Sequence, residues 1–281
     1  MNGRFRSFSF VDRITLCSAH RVEGHYTVPV DATRFPASLM AEAVGQLAAW
    51  ASMSQLDFAI RPVAGLAAEA HYGQVPQPGQ RLELQADIER CDAEAVAYRG
   101  SATIDGQLAV EIIDCVGPML PMAQFDDPEA VRADFHTLCG GGVPAGRFGG
   151  VPAPLLSQIE TTGSERLQAL LSVPLAEAAP YFDDHFPRRA VFPGTLLLDA
   201  LADLAVQLAQ RSAPLRDAAA LLPSRVTHVK IRSFTEPGAV LQLEVELLDA
   251  DADRARLKLA ARGDGKTVAT ARVEVVRRSP A

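Results

Sequence analysis

The chain repeats itself, and this limits its fold more than any single motif does. Phe35-Pro36-Ala37-Ser38-Leu39, followed by Glu42-Ala43, matches Phe192-Pro193-Gly194-Thr195-Leu196, followed by Asp199-Ala200, at an offset of 157 (192 − 35). Pro78-Gly79 with Leu82, Leu84, Ala86 and Ile88 matches Pro237-Gly238 with Leu241, Leu243, Val245 and Leu247 at 159 (237 − 78). Asp105-Gly106 returns as Asp264-Gly265 at the same 159. Three matches in one order describe two copies of one structural unit. The 281 residues suit two domains of roughly 100–150 residues each.

Both copies read as the same string of elements. Helices are expected from about Ala37 to Met53 and from about Thr195 to Arg211. Each is apolar nearly all round, which predicts burial rather than a place on the surface. A Pro-Gly turn then leads into Leu82–Ile88 or Leu241–Leu247, where apolar and polar residues alternate as in a half-buried strand. The Asp-Gly pairs mark hairpins further on. One buried helix followed by an antiparallel meander is an α+β plan. Between the copies, Asp126-Asp127-Pro128, Gly140-Gly141-Gly142 and Gly149-Gly150 read as linker. The expected division is an N-terminal domain over 1–125, a linker over 126–154 and a C-terminal domain over 155–281, with the two domains paired as a pseudo-dimer inside one chain.

Composition narrows the function. A formal net charge of −7 without a Lys/Arg-rich run lacks the footprint of a nucleic-acid binder. No apolar run approaches the roughly 20 residues of a membrane-spanning helix. The N-terminal segment has arginines but no apolar stretch of the secretory kind, so a cytoplasmic location is expected. Cys17, Cys91, Cys115 and Cys139 form no Cys-x-x-Cys pair, which argues against zinc and against a disulfide framework. Arg188-Arg189 with Arg225, Lys230 and Arg232 form a candidate basic patch for an acidic partner.

The chemistry-bearing segment is His185-Phe186-Pro187-Arg188-Arg189-Ala190-Val191-Phe192-Pro193-Gly194, followed on the helix by Asp199. Histidine titrates near working pH and suits a general base. Gly194 stands where the helix begins, so its N–H and the positive helix end can receive a carbonyl oxygen that gains charge. Carboxylates inside an apolar helix, Glu42 and Asp199, are costly unless partnered. His20, His25, His71, His136 and His228 have no such context and are read as structural or solvent-facing.

The run from His185 to Ala200 resembles the active-site signature of bacterial β-hydroxyacyl-ACP dehydratases. Its histidine-to-carboxylate spacing is 14 (199 − 185), and Phe10-Val11-Asp12-Arg13-Ile14 is similar to the start of those enzymes. The resemblance implies two tandem hotdog domains, each a helix wrapped by an antiparallel sheet. It also implies removal of water from a 3-hydroxyacyl thioester to give a trans-2-enoyl thioester, in fatty-acid or polyketide-like biosynthesis. No cofactor or metal is implied. The substrate would arrive on the phosphopantetheine of acyl carrier protein or coenzyme A, and the chain would act as a monomeric pseudo-dimer or a homodimer of it.

In that family the histidine of one subunit faces the carboxylate of the other. By analogy His185 faces Glu42 across the halves, and Asp199 faces position 28 (185 − 157), which is Val28. One working site and one dead site are therefore expected, with Asp199 kept as the alternative partner of His185. Phe186, Pro193 and Gly194 of the motif, and Gln46 one turn after Glu42, are the expected oxyanion and substrate-binding residues. Ala37 stands where the family carries glycine, and Asp203 where it carries glutamine. The rivals are a hotdog thioesterase, whose helix carboxylate would activate water, and a non-catalytic module that binds acyl thioesters.

Overall fold

The computed structural model describes residues 5, 7–32, 34–145, 151, 153–218 and 220–277. The first half runs β1 (Arg13–Cys17), β2 (Arg21–Thr27), α1 (Ala37–Gln55), β3 (Ile60–Pro62), β4 (Leu66–Tyr72), β5 (Arg81–Cys91), β6 (Ala95–Ile104) and β7 (Gln107–Pro121). Helix α2 (Pro128–Cys139) follows. The second half runs β8 (Leu156–Thr162), β9 (Arg166–Ser172), α3 (Tyr181–Asp184), α4 (Gly194–Arg211), β10 (Leu221–Ile231), β11 (Val240–Ala250), β12 (Arg254–Gly263) and β13 (Lys266–Arg277).

The strands make one antiparallel sheet in the order β1-β2-β5-β6-β7-β4-β10-β13-β12-β11-β9-β8, with β3 paired to β7. Read outward from the centre, β4-β7-β6-β5-β2-β1 and β10-β13-β12-β11-β9-β8 are the same order, so the repeat becomes a pseudo-twofold arrangement of two hotdog units. Its seam is the β4–β10 pair, where Ala70 lies opposite Val226 and Ala67 opposite Val229. Arg225 Nε meets Glu69 Oε1 across it at 2.6 Å.

Each sheet half wraps its own helix. The apolar positions of α1 that are buried, Leu39, Met40, Ala43, Val44, Leu47, Ala48 and Ala51, have buried counterparts in α4 at Leu196, Leu197, Ala200, Leu201, Leu204, Ala205 and Leu208. Every pair is separated by 157, and the 3-4 spacing places each set on one stripe. The hairpins also repeat. Asp105-Gly106 and Asp264-Gly265 join β6 to β7 and β12 to β13 with positive φ at both residues (52° and 77°; 49° and 74°), as two-residue turns of the mirror-image type require.

The expected linker needs correction. Asp126-Asp127-Pro128 starts a helix: the Asp127 side chain accepts from the Glu129 and Ala130 N–H groups, and Pro128 occupies the first turn. Val131 of α2 packs with Met53, Phe58 and Met122 of the first half. The segment 126–139 is therefore structured and docked on the N-terminal unit. Residues 146–150 and 152, also assigned to the linker, lie outside the described residues.

Candidate active site

His185 sits at the exit of α3, where its N–H still bonds the Tyr181 carbonyl at 3.0 Å. Phe186 then takes a left-handed φ of 63°, a conformation costing a non-glycine residue on the order of 1 kcal/mol or more. Surrounding contacts hold it. The Phe186 ring lies 5.0 Å from that of Phe125, and the Arg61 guanidinium sits 4.2 Å over it. The imidazole stacks on Phe186 at 4.2 Å and meets the Phe8 ring edge-on at 5.1 Å.

A single hydrogen bond fixes the tautomer. His185 Nδ1 lies 2.7 Å from the Val191 carbonyl oxygen, which can only accept, so Nδ1 carries the proton and Nε2 keeps its lone pair. Burial lowers the imidazole pKa to about 4; the Val191 bond opposes this and the Arg61 charge adds to it. The ring is neutral near pH 7, as a base must be.

Glu42 comes from α1 of the other half. Its Oε2 accepts from Thr195 Oγ1 at 2.8 Å and its Oε1 from Gln46 Nε2 at 3.0 Å. Burial pushes its pKa upward against the lowering effect of both bonds and of Arg61. Gln46 also ties down the N-terminal segment, accepting from the Phe10 N–H at 2.9 Å and donating to the Phe8 carbonyl at 3.1 Å. Asp184 anchors the same segment from the other half by accepting from the Ser7 and Phe8 N–H groups. Both copies therefore supply walls and chemistry to one cavity of about 340 Å³, which His185, Phe186, Glu42, Gln46, Gly194, Thr195 and Arg61 all line.

Gly194 is the first residue of α4, so its N–H has no intrahelical partner and points off the helix end. A Cβ there would meet Ile231 at 3.4 Å, an ordinary contact, so the protein's own packing does not demand glycine. Pro193 departs from expectation. It is absent from the lining of the cavity, and its carbonyl accepts from the Leu196 and Leu197 N–H groups, so in the structure it starts the helix.

The reciprocal site is built differently. Val28 is 1% exposed and part of the core. Asp199 is drawn to Arg34 Nη2 at 2.5 Å, and Asp203 to the same nitrogen at 3.1 Å. The Asp203 substitution thus has its explanation: one guanidinium serves two carboxylates on successive turns. Burial, then the Asp203 charge, raises the Asp199 pKa to about 6, against the pull of Arg34. Thr195, Arg61, Phe8 and Arg34 escaped the sequence reading. Only Thr195 was within its reach, as the repeat partner of Ser38 beside the motif. The basic patch is largely spent inside the chain: Arg188 bonds Asp127 at 2.9 Å, Arg225 pairs with Glu69, and Arg189 lies 4.5 Å over Phe234.

Comparison with known proteins agrees with this architecture. The family model for the FabA-like domain matches residues 156–272, the half that carries His185 and Gly194. The 3-hydroxyacyl-acyl-carrier-protein dehydratase FabZ of Zymomonas mobilis is 34% identical over 120 residues, covering 42% of this chain and 75% of that protein. Among solved structures, the dehydratase domain of PpsC from Mycobacterium tuberculosis, in complex with C12:1-CoA, superposes with a TM-score of 0.53 at 16% identity, covering 96% of this chain and 99% of that one. An acyl-ACP thioesterase from Bacteroides thetaiotaomicron gives a TM-score of 0.53 at 10% identity, covering 91% and 97%. At such low identity the structural likenesses establish the shared fold alone. The relationship to FabZ goes further, and with it the chain belongs to the β-hydroxyacyl-acyl-carrier-protein dehydratase family.

Proposed function

We propose that the chain dehydrates a 3-hydroxyacyl thioester, delivered on acyl carrier protein, through one site made by His185 and Glu42. The observation that carries this reading is the pair of opposed environments in one cavity: an imidazole kept neutral and a carboxyl group pushed toward its protonated form. Two titratable groups tuned in this way match the base and acid that an elimination needs.

In the proposed step the Gly194 N–H and the α4 N-terminus bind the thioester carbonyl oxygen as negative charge builds on it. His185 Nε2 removes the C2 proton. The C2–H electron pair forms the C2–C3 double bond, the C3–O bond breaks, and protonated Glu42 gives its proton to the departing hydroxyl, which leaves as water. His185 ends as imidazolium and Glu42 as carboxylate, and proton exchange with water resets both. Thr195 and Gln46 hold the two carboxyl oxygens in place. Phe186 fixes the imidazole plane.

The thioesterase likeness supports a second reading, in which a helix carboxylate activates water. That role needs an ionised carboxylate, whereas burial of Glu42 favours the acid. Incubation with 3-hydroxyacyl and trans-2-enoyl thioesters, following enoyl absorbance and free thiol together, separates the two. Enoyl interconversion without thiol release is the expected result; thiol release without interconversion overturns the dehydratase reading.

A further inference from the structure

The repeat pairs Ser38 with Thr195, Glu42 with Asp199 and Gln46 with Asp203, all at 157. At the His185 end, the Thr195 hydroxyl is used up on Glu42. At the other end Arg34 holds Asp199 and Asp203, and no described residue takes the equivalent hydroxyl. Ser38 is 8% exposed, its Oγ has no hydrogen-bond partner among the described residues, and it lines the same cavity, together with Asp199 and Tyr72. Beside them, Arg34 Nη1 is also buried with no hydrogen-bond partner among the described residues. Ser38 belongs to the first turn of the 19-residue α1, whose N-cap, Pro36, offers no side-chain cap; the Leu39 N–H bonds the Pro36 carbonyl at 2.9 Å, which leaves the Ala37 and Ser38 N–H groups at the helix end without an intrahelical acceptor.

Native interiors rarely leave buried donors unsatisfied, and such a group on a cavity wall points to a ligand atom. We propose that this end of the cavity is a subsite for an oxygen atom carried on the acyl chain itself, a hydroxyl or keto oxygen, held by Ser38 Oγ and the N-terminus of α1. The proposal rests on the reading that the cavity takes an acyl thioester. Ser38 precedes Glu42 by one helical turn, roughly 6 Å along the axis, so the recognised oxygen lies a few carbons beyond the C3 that reacts. The dead catalytic site has become a selector for oxygenated chains over plain alkyl ones.

The test uses N-acetylcysteamine 3-hydroxyacyl thioesters of equal length, either plain alkyl or carrying a keto or hydroxyl oxygen at C5, C7 or C9. One oxygenated isomer is expected to exceed the alkyl substrate in kcat/KM by about tenfold, the scale of one net hydrogen bond. Ser38→Ala should bring that ratio to within about twofold of unity, and Ser38→Thr, the residue of the other copy, should keep it. Alkyl preference at every position, or a preference that survives Ser38→Ala, overturns the subsite. Calorimetric binding of the same thioesters to His185→Ala protein reads the preference without turnover. Selective binding without wild-type turnover would overturn the dehydratase reading and keep the subsite; equal binding of alkyl and oxygenated chains would overturn the subsite.

Discussion

The two ends of the α1–α4 pair carry equivalent helix positions and opposite chemistry. At one end Glu42 is held by two neutral donors, Thr195 and Gln46, and faces the cavity that His185 lines. At the other, Asp199 is held by the Arg34 cation, with Asp203 sharing it and Val28 where a histidine would stand. Neutral donors leave a buried carboxyl group free to keep or release a proton, whereas a guanidinium 2.5 Å away favours the charged form of Asp199, against the burial and the Asp203 charge that raise its pKa to about 6. Duplication within one chain let the copies diverge in this way, since a single-copy homodimer would carry every change at both ends.

The largest effect that can break the comparison is His185→Ala, expected to lower kcat/KM for enoyl-thioester hydration by roughly 10²–10⁴-fold. Near-normal turnover would move the base elsewhere. Glu42→Gln should cost on the order of 10²-fold or more and at least ten times as much as Asp199→Asn. The reverse order would place the working pair within the C-terminal copy.

The pH profile sharpens the contrast. His185 must be neutral and Glu42 protonated, so kcat/KM should fall below about pH 4, where the imidazole gains its proton, and fall again above the raised pKa of Glu42. Arg61 lowers both values. Arg61→Met should therefore shift both limbs to higher pH; limbs that stay put would remove Arg61 from the electrostatics of the site.

The smallest expected effect is structural. Arg34→Met should cost about 1–2 kcal/mol in urea unfolding, since the pair is partly exposed and the buried partner loses its cation. The Asp199 pKa is raised in the folded state to about 6, so the folded protein binds this proton more tightly. Its contribution to stability is full at low pH and is lost as pH rises through about 6. The Arg34→Met penalty should accordingly grow between pH 4 and pH 7. A penalty that is flat with pH would mean that Arg34 contributes packing rather than charge.

Much of this was legible in the chain because it rests on local rules. Apolar stripes 157 residues apart fixed both buried helices, and Asp105-Gly106 and Asp264-Gly265 fixed two hairpins through the positive φ that such turns need. The misread segment, Asp126-Asp127-Pro128, shows a limit of composition: aspartate and proline serve a loop or a helix start equally well, and docking of Val131 on Met53, Phe58 and Met122 decides between them. The Phe186 conformation was not legible at all, because a left-handed phenylalanine persists only where Phe125 and Arg61 hold its ring.

The repeat on which the chain is built determined two like units, each a buried helix followed by an antiparallel meander, with a carboxylate at equivalent positions of both helices and the motif histidine, His185, in one copy alone. Those properties follow from periodicity, spacing and residue type, which are local. Tertiary structure decided which partners each helix carboxyl group meets, which nitrogen of His185 keeps its lone pair, and that Arg34 binds Asp199 and Asp203 at the reciprocal end. Protonation and pairing depend on burial and on partners up to 177 residues away in the chain, and such neighbours exist only once the two halves have closed on each other.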